Sequence, residues 1–421
     1  MHSPVRLLLA TTLAATLVLP TSAGAATIGR QIAYHHWASA TQLATGSGHG
    51  ASVEGGALTI DNPYRQRTFG GTTYDVAKWT SPKVTPGFAF TELVPSWVAS
   101  TPAGTWIQVQ VRGVTARGVG GSWDVVARWA SGDGTIARTS LGPQRDDIGH
   151  MATDTWEANG TAFVTWQLQV ALYRHAGTTA TPHVDSLGAM VSALPSTANV
   201  STSAPGVARG ITLAVPRYSQ MTHTGEYPKY GGGGEAWCSP TSTTMVLAYY
   251  KALPPPSAYA WVNQSYDDRF VDHAARMTFD NGYDGTGNWP FNTAYAGTRT
   301  RHAFVTRFKS LRGVERFVKV GIPVVTSISF ATGKLSGAPI AASAGHLVVV
   351  VGFTRSGDVV VNDPAARTDS TVRRTYDRGQ FEDAWLKRYT DRSGTHGSGG
   401  LAYVIYDATH PLPARQGNTN W

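Results

Sequence analysis

The chain contains one cysteine, Cys238, among its 421 residues, so no disulfide within the chain can hold its fold. Hydrophobic residues make up 42% of the sequence, which is ample material for buried cores, and the length predicts two or three domains of ordinary size. Charged residues make up only 15%, whereas Gly, Trp and Tyr are frequent. This composition favours β-rich extracellular architecture over helical bundles or disorder.

The first residues have the features of an export signal. Arg6 precedes an apolar segment, and the small-residue run Ala23-Gly24-Ala25 follows it. This pattern predicts a signal peptide over residues 1–25. The apolar segment is short for a bilayer span, and no later segment has the necessary apolar run. We therefore expect a secreted protein without a membrane span, either free or associated with the cell wall.

Residues 27–195 show the pattern of short β-strands. In residues 105–111, Ile107, Val109 and Val111 alternate with side chains of the opposite face. Residues 163–172 place five apolar side chains on one face: Val164, Trp166, Leu168, Val170 and Leu172. Turn residues separate such runs at the spacing of a sandwich. We predict an all-β, sandwich-like accessory domain in which the tryptophans pack in the core rather than stack on sugars.

A small, polar and aperiodic stretch at residues 196–210 predicts a linker between independent domains. The remainder, residues 211–421, carries helix patterns early and strand patterns late, which predicts an α+β domain. The expected elements are a strand at 211–220, the helix after Cys238, helical patterns around 303–320, strands at 323–330, 345–353 and 358–364, a helix near 380–388 and a strand at 401–406.

Cys238 follows a glycine-rich approach and precedes a helix pattern. Ser239 can cap this helix, Pro240 suits its first position, and Pro254 begins the segment that ends it. Unpaired N–H groups and the positive end of the helix dipole favour a thiolate at such a position. The alternative is a buried cysteine that acts as a small hydrophobe. We favour a reactive thiol.

Three further residues complete a candidate catalytic set. His346 starts a very apolar strand, and Asp363 ends the next one. If these strands are neighbours, the histidine can accept the thiol proton while the carboxylate orients the ring. Acyl transfer also needs an oxyanion donor, for which the amide of Gln220 is suitable. On chemistry alone, Asn288 and Gln264 remain open as alternatives. A core histidine and a turn aspartate are the structural alternatives.

These residues resemble a known family. The segments VPRYSQ, WCSPTSTTMVL, GHLVVVVGF and VVVNDP look like the bacterial cysteine peptidases of the C39-like group, which have a papain-like fold, and the overall layout is similar to exported actinobacterial members. The resemblance covers residues 211–406 and implies Cys238 as nucleophile, His346 as general base and acid, Asp363 as orienting carboxylate and Gln220 as oxyanion donor. Ser239 departs from the glycine that commonly follows the nucleophile.

The sequence therefore predicts a monomeric cysteine peptidase that hydrolyses peptide bonds and needs no metal or organic cofactor. Its expected partners are a peptide or protein substrate and, through the first domain, a cell-wall polymer. The formal net charge is +8, but no run of Lys or Arg indicates nucleic-acid binding. Two alternatives remain. The same triad could serve a cell-wall amidase or transamidase, or the chain could be a non-catalytic envelope-binding protein on a peptidase scaffold.

Overall fold

A computed structural model describes residues 29–197, 200–392 and 394–421 of the chain. The predicted signal peptide at 1–25 lies outside the described residues. The helices in the described part of the chain all lack the combination of length and apolar content that a bilayer span requires.

The first unit consists almost entirely of β-strands. In chain order its elements are β1 (Gln31–Trp37), the short helix α1 (Ala40–Leu43), β2 (Ser47–His49), β3 (Ala51–Glu54), β4 (Ala57–Ile60), β5 (Arg65–Phe69), β6 (Thr72–Thr80), β7 (Glu92–Ser100), β8 (Thr105–Thr115), β9 (Asp124–Trp129), β10 (Thr139–Ser140), β11 (Gly149–Ala152), β12 (Thr155–Ala158), β13 (Phe163–His175) and β14 (His183–Ala193).

These strands form two antiparallel sheets of seven strands each. One has the order β11-β12-β7-β14-β4-β3 with β1 also paired to β14, and the other has the order β10-β9-β8-β13-β6-β2 with β5 also paired to β6. A single apolar core takes side chains from both sheets, including Trp97 and Leu187 from the first and Val109 and Leu168 from the second. The predicted all-β, sandwich-like character of this unit is therefore confirmed.

One predicted core position in β13 is wrong. Trp166, Leu168, Val170 and Leu172 are buried as expected, but Val164 is only half-buried. A register shift between Phe163 and Thr165 in the pairing with β8 breaks the alternation, so the fully buried Phe163 belongs to the core instead.

The tryptophans of this unit pack in its interior, as predicted, with one exception. Six have at most 2% of their surface exposed: Trp79, Trp97, Trp106, Trp129, Trp156 and Trp166. Trp123 is partly exposed, and the guanidinium of Arg112 lies 4.5 Å from the centre of its ring.

The second unit is an α+β domain, as predicted. Its elements are a 3₁₀ turn (Gln220–His223), a second 3₁₀ turn (Gly234–Ala236), α2 (Cys238–Tyr249), a 3₁₀ turn (Pro256–Tyr259), α3 (Phe270–Thr278), α4 (Trp289–Thr300), β15 (His302–Arg307), α5 (Leu311–Lys319), β16 (Val324–Phe330), β17 (Ser343–Phe353), β18 (Val359–Asn362), a 3₁₀ turn (Asp369–Thr371), β19 (Arg373–Tyr376), α6 (Arg378–Leu386), β20 (Tyr389–Asp391), β21 (Gly394–His396) and β22 (Leu401–Tyr406).

Six of these strands form one antiparallel sheet in the order β15-β22-β16-β17-β18-β19. Two local predictions are wrong. The start of the expected helical stretch at 303–320 is the strand β15, because its residues pair with β22, and the helix begins only at Leu311. The expected strand at 211–220 makes one isolated bridge, between Thr212 and Gly352, and ends in a 3₁₀ turn. Helices α3 and α4 fall in a region for which the sequence predicted no regular structure.

The segment predicted as a linker packs against the second unit where the structure describes it. The buried carboxylate of Glu315 accepts hydrogen bonds from the N–H groups of Gly206 (2.9 Å) and Ala208 (3.1 Å). Glu382, also buried, accepts one from the N–H of Ser203 at 2.6 Å. The segment is therefore anchored by buried charges. The division of the chain at residues 196–210 itself stays a prediction.

The two units share apolar cores. Phe291 and Ala294 of α4 belong to the core of the first unit, whereas Ile32, Val94 and Met190 belong to a core of the second unit. The two units are therefore joined by continuous apolar packing as well as by the covalent chain.

A buried ion-pair cluster reinforces this interface. The carboxylate of Glu92 in β7 pairs with Arg307 at 2.5 Å and also contacts Arg388, both from the second unit. Burial alone would raise the pKa of Glu92, but the charges of Arg307 and Arg388 outweigh it and hold the pKa below its usual value. Because Arg307 is 1% exposed, its charge depends on this partner.

We predict that Glu92→Gln strongly destabilises the protein, because it leaves the buried guanidinium of Arg307 without a counter-charge. The expected loss is about 3 to 5 kcal/mol in the free energy of unfolding. The control is Asp383→Asn, which breaks a more exposed pair with Lys387 and should cost at most about 1 kcal/mol. Denaturant unfolding of all three proteins measures both effects. Equal midpoints for the two variants would contradict this account of the interface.

Candidate active site

Cys238 is the first residue of α2 and is partly exposed. The helix predicted after Cys238 is therefore confirmed as α2. Ser239 does not cap it, because the N-cap residue is Trp237. The Ser239 hydroxyl instead lies 2.9 Å from the hydroxyl of Tyr403. The N–H of Cys238 belongs to the first turn, whose N–H groups have no carbonyl partner within the helix. The thiol thus stands beside a free hydrogen-bond donor.

The backbone conformation and close packing before Cys238 require glycine. Gly231, Gly232 and Gly233 all have positive φ angles, of 71°, 101° and 102°. A Cβ on Gly234 would lie 2.3 Å from the carbonyl oxygen of His223. The chain therefore passes close against the 3₁₀ turn that begins with Gln220, which only glycine permits.

His346 and Asp363 come together because β17 and β18 are antiparallel neighbours, as the sequence analysis required. His346 Nε2 lies 2.7 Å from Asp363 Oδ1, and the two side chains are 4% and 1% exposed. The side chain of Cys238 interacts with the same imidazole. With Nε2 engaged by the carboxylate, Nδ1 is the ring nitrogen left for the thiol.

The surroundings of the pair shift the pKa values of both His346 and Asp363. Burial alone would lower the pKa of His346, but the charge and hydrogen bond of Asp363, with a contribution from Cys238, raise it to about 10. Burial would raise the pKa of Asp363, but His346 and the hydroxyl of Tyr376 hold it below its usual value. Tyr376 donates to Oδ2 at 2.6 Å, and the N–H of Ala365 donates to Oδ1 at 3.0 Å. Both shifts favour an imidazolium paired with a carboxylate.

Hydrogen bonds to main-chain carbonyls hold α2 and the Gln220 turn beside the pair. The hydroxyl of Ser242 in α2 donates to the carbonyl of Leu347, the neighbour of His346, at 3.0 Å. The N–H of Gln220 donates to the carbonyl of Pro364, the neighbour of Asp363, at 2.9 Å. These bonds fix both the helix of Cys238 and the Gln220 turn against the two strands that carry the pair.

Gln220 lies in the same cleft as Cys238 and is 3% exposed. Its Nε2 donates to the carbonyl of Glu235 at 2.7 Å, which uses one of the two amide hydrogens. Among the residues that the structure describes, its Oε1 is buried without a hydrogen-bond partner. One amide hydrogen thus remains unassigned in a cleft that Cys238 also lines.

The alternative donors are placed differently. Asn288 lines the cleft, but its Nδ2 donates to Asp280 at 2.8 Å and its Oδ1 accepts from the N–H of Phe291 as the cap of α4. Gln264 is bonded to exposed main-chain and arginine groups, and it does not line the cleft. Gln220 and Asn288 therefore both line the cleft with one amide hydrogen engaged, but the Asn288 amide is fixed through its oxygen as well, whereas the Gln220 amide is fixed only through its nitrogen.

The cleft has a volume of about 660 Å³ and both units line it. The second unit supplies Cys238, Gln220 and His346, and the first unit supplies residues 152–155 and Glu157 from the β11–β12 hairpin. Asp154 joins this wall to α4, since its Oδ2 accepts from the N–H of Trp289 at 2.9 Å. A ligand at the thiol would therefore contact the first unit as well.

Two features near the site have no distinct signal in the sequence. Tyr376 had no distinguishing signal, because a tyrosine in a short strand is typical of core packing. The second is a buried cluster of His223, Glu226 and Asp272, whose donor atoms all lie within 4.8 Å of one another. His223 and Glu226 are three positions apart, but Asp272 lies on α3, so only the fold assembles the cluster.

Two family models match the chain. The model described as Peptidase C39 N-terminal domain matches residues 33–192, and the model described as Peptidase_C39 like family matches residues 212–392. No curated protein sequence matches the chain significantly.

The chain also has similarity to solved structures. These include the C-terminal family 22 carbohydrate binding module of Xyn10B from Clostridium thermocellum, with 15% identity over 38% of this chain and 94% of that one (TM-score 0.20). A xylan-binding domain of the same module family has 14% identity over 39% and 96% (TM-score 0.19). At these scores the likeness carries no functional argument.

We predict that Asp363→Asn lowers the pKa of His346, because burial then acts without the opposing carboxylate charge. In the wild type the imidazole should stay protonated until the pH approaches about 10. Nuclear magnetic resonance of ¹³C-labelled histidine, assigned with His346→Gln, measures both titrations. The control is Asp61→Asn, an exposed carboxylate of the first unit. An unchanged titration in Asp363→Asn would contradict the proposed charge state.

Proposed function

Since the chain belongs to the C39-like peptidase family, we propose that it is an exported cysteine peptidase that hydrolyses peptide bonds with Cys238, His346 and Asp363. The observation that carries this proposal is the buried pair of His346 and Asp363, 2.7 Å apart, with the partly exposed thiol of Cys238 against the same imidazole. Export rests on the sequence of residues 1–25.

The chemistry follows from the charges of the site. An imidazolium beside the thiol favours the thiolate, which is the nucleophilic form of cysteine. The thiolate attacks the carbonyl carbon of a bound amide, and the N–H of Cys238 and the amide of Gln220 bind the oxyanion. His346 then gives its proton to the leaving amine, so that the C–N bond breaks and an acyl enzyme remains.

Release of the acyl group uses the same residues in reverse. His346, now neutral, accepts a proton from a water molecule while the oxygen of that water attacks the thioester. Collapse of this intermediate breaks the C–S bond, frees the acid and restores the thiolate–imidazolium pair. Asp363 stabilises the imidazolium and orients the ring, and Tyr376 holds Asp363 through the second carboxylate oxygen.

The substrate would lie between the two units. The cleft extends from Cys238 to the β11–β12 hairpin, so an extended peptide at the thiol would also contact residues 152–155. We further propose that the first unit positions the substrate beside the nucleophile, in addition to any contact with cell-wall polymer.

Two other functions are compatible with the same site. A cell-wall amidase or transamidase would employ the same triad, and products formed with an added amine acceptor distinguish it from a peptidase. A binding protein on a peptidase scaffold would not need a charged His346 beside the thiol, so the charge state of the site favours catalysis.

We predict fast alkylation of Cys238 at pH 6 in the mature protein, and alkylation slower by on the order of 100-fold in His346→Ala, whose thiol lacks the imidazolium. The variant should react at a rate typical of a thiol without a cationic partner. Iodoacetamide labelling followed by mass spectrometry gives the rates. His183→Ala removes an exposed histidine and is the control. Identical rates in His346→Ala and the wild type would exclude the catalytic pair.

We also predict that Gln220→Ala reduces kcat for hydrolysis of an unfolded protein substrate by about 100- to 1000-fold with little change in KM, since the oxyanion forms only after attack. Gln264→Ala, an amide outside the cleft, should retain full activity. Equal activity of the two variants would remove Gln220 from the mechanism without affecting the triad.

A further inference from the structure

A buried cluster outside the triad has the composition of a metal site. His223 follows Gln220 in the first 3₁₀ turn, Glu226 lies just beyond that turn, and Asp272 lies in the first turn of α3. His223 Nδ1 lies 2.8 Å from Glu226 Oε2 and 3.3 Å from Asp272 Oδ2. The three residues are 0%, 8% and 0% exposed.

Asp272 provides a second and independent indication. Its side chain is fully buried, yet neither carboxylate oxygen accepts a well-directed hydrogen bond from a group that the structure describes. Within the described residues, its one ion pair is the 3.3 Å approach of Oδ2 to His223 Nδ1. A buried carboxylate without donors is costly unless a positive charge stands beside it. A second carboxylate, that of Glu226, in the same site increases this cost.

A divalent cation resolves the charge balance. Without an ion, one imidazolium balances one carboxylate and the second carboxylate must take up a proton, whereas a neutral imidazole and two carboxylates around a divalent cation give a net charge of zero. Ligand atoms that share a zinc ion at about 2.1 Å lie roughly 3.0 to 3.4 Å apart, close to the separations from His223 Nδ1. In the part of the chain that the structure describes, His223 Nε2 is buried without a hydrogen-bond partner, so the ring is held from its Nδ1 side.

We propose that His223, Glu226 and Asp272 bind one divalent transition-metal ion of the zinc type. A nitrogen and two carboxylate oxygens suit zinc, while calcium prefers oxygen ligands alone. The fourth position of a tetrahedral site would open on the side of Glu226, which is the ligand with some exposure. This site differs from the triad, and the inference does not depend on the peptidase proposal.

The ion would connect two elements near the cleft. Gln220 and His223 share one short 3₁₀ turn, and Asp272 belongs to α3, so the ion would fasten the turn of the oxyanion donor to a helix. Because metal binding favours the folded state, the loaded protein should unfold at a higher temperature.

The test is zinc titration of the mature protein after removal of metal with a chelator. All proteins carry Cys238→Ser, so that the thiol cannot serve as a zinc ligand. We expect one equivalent of bound zinc by calorimetry and a raised unfolding midpoint. Adding Asp272→Asn should weaken zinc binding by at least about 100-fold, because it removes one of three ligands. Adding Asp61→Asn, at an exposed carboxylate, should change nothing.

Glu226→Gln keeps the test decisive if Asp272→Asn folds poorly, because Glu226 lies nearer the surface. Near-ultraviolet circular dichroism establishes that each variant is folded. The inference fails if the Cys238→Ser protein binds no zinc, if it binds calcium in preference to zinc, or if a folded Asp272→Asn or Glu226→Gln variant binds zinc as tightly as the Asp61→Asn control. The last outcome would assign the zinc to another site, such as His346 with Asp363.

Discussion

The hydrogen bond between His346 and Asp363 depends on a feature of the whole domain, namely the antiparallel pairing of two central strands. Val349 pairs with Asn362, which places the start of β17 beside the end of β18. A buried histidine and a buried carboxylate stabilise each other there, since neither charge would persist alone in an apolar sheet. The arrangement of α2 and of the Gln220 turn follows from main-chain contacts to the residues next to this pair.

The first unit is part of the same arrangement. Its core includes two residues of α4, and its buried Glu92 pairs with Arg307 and Arg388 of the second unit. Such an interface restricts relative movement of the units, because separation would expose apolar surface and unpaired charges. The β11–β12 hairpin therefore has a fixed position in the wall of the cleft. An accessory domain that only tethered substrate would not need this interface.

Much of the local structure could be predicted from the sequence, and the errors have physical causes. Alternation correctly predicted the buried faces of β8 and most of β13, but it cannot reveal a register shift such as that at Phe163. The sequence pattern predicts a helix from residue 303, where the structure has a strand, because short apolar patterns are ambiguous until a partner strand is known. Helices α3 and α4 were missed because their polar and aromatic residues give weak periodicity, and packing against other elements stabilises them.

Some features of the candidate site follow from the sequence, and others follow only from the tertiary structure. The sequence by itself determined the chemical groups: one thiol at the start of a helix, a histidine and an aspartate at the ends of successive apolar strands, and a suitable amide upstream. Each of these is a property of local pattern. Only the tertiary structure decided which amides line the cleft, that Tyr376 supports Asp363, and that Asp272 meets His223 and Glu226. These decisions depend on strand pairing and helix packing between residues far apart in the chain, which local periodicity does not encode.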